Sequence, residues 1–143
     1  MRRKKQVIAA FSLLFFGSIF APALFSHCQV PCGIYDDQMR FKMISEHITT
    51  IEKAMNQIVK LSKEGNANYN QIVRWVLNKE KHAEEMSQIL SYYFLAQRIK
   101  PADPKDTKKM LDYHKKLELI HKLIFYGMKA KQTTDLATIK KLR

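Results

Sequence analysis

Cysteine is nearly absent from this chain. Only Cys28 and Cys32 occur in 143 residues, so no more than one internal disulfide can form. Acidic residues are also scarce, 13 against 25 Lys and Arg, which leaves a formal net charge of +12. A surface that basic attracts anions: nucleic acid, phospholipid or a small anionic substrate. No nucleic-acid motif is present, however, and the lysines alternate with acids along helix-like stretches such as Glu80-Lys81-His82-Ala83-Glu84-Glu85. Such stretches read as solvated helix faces. Internal repeats, low-complexity tracts and strand-like alternation are lacking, which argues against β and solenoid architectures. The length excludes a second domain and allows one modest core.

The one long uncharged run follows Met1-Arg-Arg-Lys-Lys-Gln6 and extends from Val7 to Phe20. It reaches spanning length only if stretched to Phe25, across Gly17, Ser18 and Pro22. A basic head, a short apolar middle and a small-residue tail form a secretory signal peptide. Residues 1–26 are therefore expected to be a leader removed by a leader peptidase, with export of the remainder and no stable membrane insertion afterwards. The alternative location is the cytoplasm with the leader removed. Cleavage after Ser26 or after Ala23 fits the small-residue rule. Removal of 1–26 takes four basic residues and no acid, so the remainder is still basic.

Residues 27–35 carry Pro31 and Gly33 without a helical period and form an expected hook. From 36 onward the pattern is helical. Asp36 or Asp37 can cap a first helix running to about Lys63, with the stripe Ile44, Ile48, Ile51, Met55, Ile58 and Ser62. Gly65 ends it. Asn68 or Asn70 begins a second helix reaching about Ile99, with Ile72, Val76, Ala83, Met86, Leu90 and Tyr93 inward and Lys79 interrupting. Tyr92, Tyr93 and Phe94 read as core or interface aromatics. After the loop Lys100-Pro-Ala-Asp-Pro104, Asp103 is the expected cap of a third helix presenting Met110, Leu117, Ile120, Ile124 and Met128. Thr134 is the expected cap of a fourth segment, Asp135 to Arg143, only about 14 Å long at 1.5 Å per residue. The expected fold is all-α: an antiparallel, up-and-down four-helix bundle over 36–143, its fourth helix short, with an N-terminal metal-binding hook. A stub that short leaves part of the bundle for a partner subunit to cover, unless the chain is truncated.

The hook reads His27-Cys28-Gln29-Val30-Pro31-Cys32-Gly33-Ile34-Tyr35. In an exported chain two nearby cysteines form a disulfide by default. The same residues offer a metal site once cleavage after Ser26 frees the amine of His27. That amine, the amide nitrogen of Cys28 and its thiolate make two fused five-membered chelate rings. Pro31 and Gly33 let the chain return so that the Cys32 thiolate takes the fourth corner. Two nitrogens and two sulfurs in a plane suit Ni(II) or Cu(II), whereas structural zinc takes four side-chain ligands in a tetrahedron. The His27 imidazole can close one axial face. On the residues alone, disulfide and metal site stand level.

The pattern His-Cys-x-x-Pro-Cys-Gly-x-Tyr resembles the nickel hook of the nickel-containing superoxide dismutases, and the likeness extends from His27 to the C-terminus. It implies an enzyme that converts two superoxide radicals to dioxygen and hydrogen peroxide by Ni(III)/Ni(II) cycling. One nickel ion per subunit and a homohexamer of small bundles follow. By the same resemblance His27, Cys28 and Cys32 are the metal ligands, and Tyr35 orders water and restricts access at the open face. A non-catalytic exported nickel- or copper-binding protein is the alternative function.

The chain departs from the family pattern around the axial histidine. Gln29 stands where many members carry Asp. Lys42 and His82 lie near the places of a first-helix Glu and a second-helix Arg, and Glu46 sits one turn beyond Lys42. His82 reads as a half-exposed helix histidine. His47, His114 and His121 raise a second, di-metal centre, which needs two Glu-x-x-His pairs. Glu118-x-x-His121 is the one literal match, so that centre is not expected.

Overall fold

The computed structural model describes residues 35–143, and all of the regular structure there is helical. Helix α1 covers Asp37–Lys63, α2 covers Tyr69–Gln88, α3 covers Thr107–Gln132 and α4 covers Ala137–Leu142. The expected leader and the hook residues His27, Cys28 and Cys32 lie outside the described residues. Among those described, no helix is long and apolar enough to cross a membrane.

Asp36 begins α1 by accepting from the Met39 amide at 2.9 Å, which leaves the Asp37 carboxylate for other work. At the other end Gly65 takes φ 89°. A Cβ there would meet nothing within 4 Å, so the constraint is on backbone conformation, not space. A short 3₁₀ turn, Asn66–Asn68, leads into α2. Asn68 stands at the cap position, but its side chain makes no capping bond and its amide reaches Glu64 instead.

Helix α2 does not stop at Gln88. It continues as a π-helix over Ile89–Arg98, closed where the Ile99 amide donates to the Phe94 carbonyl five residues back at 2.9 Å. The rewinding keeps Leu90 and Phe94 in the core and turns Tyr93 and Arg98 toward the start of α1.

Two expected caps are corrected. Helix α3 begins at Thr107, with Asp106 as its cap accepting from the Lys109 amide at 3.0 Å. Asp103 instead opens a turn, its carbonyl accepting from the Asp106 amide at 3.0 Å and its carboxylate from the Lys105 amide at 2.9 Å. Pro104 thus sits in that turn and not in the helix. Before α4 it is Thr133 and Asp135, not Thr134, that accept amide bonds, from Asp135 and Ala137.

The contacts between elements run in antiparallel register. Asp37 at the start of α1 meets Arg98 at the end of the α2 extension, and His47 meets His82 deeper in. Lys79 of α2 meets the Lys131 carbonyl in the last turn of α3 while Met86 faces Gly127. A Cβ at Gly127 would fall 2.7 Å from the Met86 terminal methyl, so the flexible end of that side chain would have to shift to admit one. Ile51, Met55, Met86, Leu90 and Ile139 are fully buried, each contributing about 1.5–3 kcal/mol by leaving water. The expected inward stripes hold at Ile44, Ile48, Ile51, Met55, Ala83, Met86, Leu90 and Ile120. Ser62 in the last turn of α1 is exposed, and Met128 is exposed because the buried face of α3 passes instead through Gly127 and Ala130. Lys79, expected to break the stripe of α2, is buried within it. The short α4 buries Ile139 and Leu142, and Arg143 pairs with Glu52 of α1 at 2.6 Å.

Candidate functional site

Of the sequence-expected site residues, Tyr35 is the one within the described region, two residues ahead of α1. It is held by groups from the far end of α2. The Arg98 guanidinium lies 4.5 Å from its ring centre, and the Tyr93 ring meets it edge-on at 5.9 Å. Asp37 ties these groups together. Its carboxylate accepts two bonds from Arg98, at 2.8 and 2.7 Å, and a third from the Tyr93 hydroxyl at 2.7 Å. Two parallel N–H···O bonds fix the plane of the guanidinium, and with it the ring of Tyr35 stacked below.

The electrostatics of this cluster are consistent with its geometry. The hydrogen bond from Arg98, then that from Tyr93, hold Asp37 below the ordinary carboxylate value. Burial, followed by the bond to Asp37, pushes Tyr93 upward, so its hydroxyl stays protonated as the donor. Arg40 adds a second guanidinium 5.0 Å from the Tyr93 ring centre and makes no ion pair among the described residues. Tyr35 therefore stands on a platform carrying two guanidiniums and one carboxylate. Asp37 pairs with Arg98, and the Asp36 carboxylate lies beside them at the start of α1.

A second constellation lies deeper along the α1–α2 seam. His47, on the buried face of α1 between Ile44 and Ile51, puts its Nδ1 2.8 Å from the Nδ1 of His82. Glu85, one turn beyond His82, places Oε2 3.8 Å from each of those nitrogens. Burial, with the neighbouring His82 second, lowers the pKa of His47. Its Nε2 is buried with no hydrogen-bond partner among the described residues. His82 is half-exposed, as read from the sequence, but is engaged by His47. Lys42 and Glu46 are exposed on α1, and His114 and His121 are exposed on α3.

Sequence reasoning did not join His47 to His82, nor Asp37 to Arg98. The available signals were faint. His47 occupies an inward position of the α1 stripe, and His82 and Glu85 share a face at a three-residue spacing. Neither signal reaches across the 35 residues between the two histidines.

A family model for nickel-containing superoxide dismutase matches residues 22–143. The matched region takes in the whole hook and all four helices. No curated protein and no solved structure matches the chain.

Proposed function

Because this chain belongs to the nickel-containing superoxide dismutase family, an oxidoreductase family with superoxide as substrate, we propose that it works as an exported homohexameric enzyme whose nickel is held by His27, Cys28 and Cys32. Cleavage after Ser26 by a leader peptidase frees the His27 amine. That amine, the Cys28 amide nitrogen, the two thiolates and the His27 imidazole would hold the nickel. The donor set fits the ion: anionic sulfur and deprotonated nitrogen in a plane favour nickel over ions that prefer oxygen. Nickel bound there supplies one-electron exchange between Ni(III) and Ni(II), so that one superoxide leaves as dioxygen and the next, with two protons, as hydrogen peroxide.

The chain's own residues bring the substrate in and keep competitors out. Tyr35 orders water and restricts access at the open face, its ring held by Arg98 and Tyr93. The Arg40 guanidinium, which has no ion-pair partner among the described residues, places positive charge near the hook's junction with the bundle, and positive charge there draws a small anion. Tyr69, Val73 and Leu77 recur every fourth residue on α2 and are more than half exposed, an apolar stripe suited to contact between subunits.

The observation that carries this reading is the family match beginning at residue 22, because it spans His27-Cys28-x-x-Pro31-Cys32-Gly33-x-Tyr35 without a missing donor. The test combines mass spectrometry of the mature N-terminus, metal analysis and a superoxide-consumption assay. A start at His27, one nickel per subunit and rapid turnover are expected. Full activity from a chain beginning at Leu24 would overturn the ligand assignment.

A further inference from the structure

We propose that His47, His82 and Glu85 form a second metal site, separate from the hook, which binds one zinc-class divalent ion and clamps α1 to α2. The two Nδ1 atoms are 2.8 Å apart and Glu85 Oε2 is 3.8 Å from both. A triangle with those sides has a point about 2.0 Å from all three corners, the length of a Zn–N or Zn–O bond. The three donors already surround a point at bonding distance from each.

The surroundings suit the same role. The imidazole planes are tilted 54° apart with centroids separated by 5.1 Å, and the two Nδ1 atoms face one another. His47 is 11% exposed, His82 24% and Glu85 38%, which leaves the site walled on the bundle side and open to solvent on the other. An ion has an entry path, and a water can fill a fourth position. Two histidines and one carboxylate with one open position are an established zinc set. Their placement, one ligand on α1 and two a turn apart on α2, makes the ion a cross-link between the two helices, set deeper than the Asp37–Arg98 pair at their end. The other Glu85 oxygen lies 3.7 Å from Lys81 Nζ, an ion pair that orients the carboxylate without occupying Oε2.

The test uses the full chain with the hook disabled by Cys28→Ser and Cys32→Ser, so that its outcome does not depend on dismutase activity. Zinc chloride is titrated calorimetrically into metal-free protein, and Co(II) serves as a spectroscopic probe of nitrogen and oxygen ligation. One zinc per chain is expected. His82→Gln or Glu85→Gln, at the two more exposed positions, should weaken binding by more than the roughly 10–100-fold that losing a group behind a ligand costs. Helix content by circular dichroism shows that these variants remain folded. His121→Gln, outside the triad, should leave affinity unchanged. Absence of one-to-one binding in the hook-disabled chain, or equal affinity after both His82→Gln and Glu85→Gln, would refute the site.

Discussion

Lys79 of α2 donates from its ammonium to the main-chain carbonyl of Lys131 at 2.6 Å, across the seam to the end of α3. The same nitrogen reaches the Thr133 carbonyl at 3.0 Å. A helix end leaves carbonyls without amide partners, and a cation there is favoured by the helix dipole. Here the cation comes from another helix and is buried to 4% exposure. Burial lowers the pKa of Lys79, with nearby Glu80 partly opposing.

Lys79→Met keeps an unbranched chain one atom shorter and removes the ammonium donors. It should destabilise the bundle by about 1–3 kcal/mol, the cost of leaving buried acceptors unsatisfied. Urea unfolding measures this, and hydrogen exchange should show the loss concentrated at 129–133. An unchanged midpoint would mean that water replaces the ammonium without penalty.

Asp37 makes stability depend on acidity. Its folded pKa is depressed, chiefly by Arg98, below the ordinary 3.8. Its stabilising contribution is therefore present above that value and lost as pH falls through the lower folded one. Asp37→Asn should lower the urea midpoint at pH 7, and the gap to the parent should close below about pH 3.8. A gap that persists unchanged at lower pH would assign the effect to packing.

Cys28→Ser or Cys32→Ser should abolish dismutation while leaving helical circular dichroism nearly unchanged. The buried cluster that holds the helices together is built from bundle residues such as Ile44, Ile51, Met86 and Leu90. Turnover retained in either variant would contradict the proposed ligand set.

Arg40→Gln should lower the second-order rate with superoxide by roughly threefold to tenfold at low salt, the weak end of the range for electrostatic steering. The parent rate should fall as salt rises and the variant's should fall less, since a screened charge no longer draws the anion. Pulse radiolysis at two ionic strengths checks both. Equal salt slopes would remove Arg40 from the steering field.

Much of the helical frame is legible along the chain because its causes are local. Asp36 caps α1 through an amide three residues away, and Gly65 ends it by a conformation that other residues avoid. Where the local signal is ambiguous, the reading slips. Asp103 and Asp106 are both plausible caps of α3, and the turn through Pro104 selects the second.

The spacing of apolar residues determined that this protein is an all-helical bundle, and one short run of donors determined which family's chemistry it resembles. Both depend on residues within a few positions of one another. Only the packed structure decided that Asp37 clamps Arg98, that Lys79 ends α3, and that His47 meets His82 and Glu85. Those partners lie 35 to 61 residues apart. Periodicity states which face of each helix turns inward, but not how far one helix slides along the next, and a slide of one turn would separate every one of these pairs.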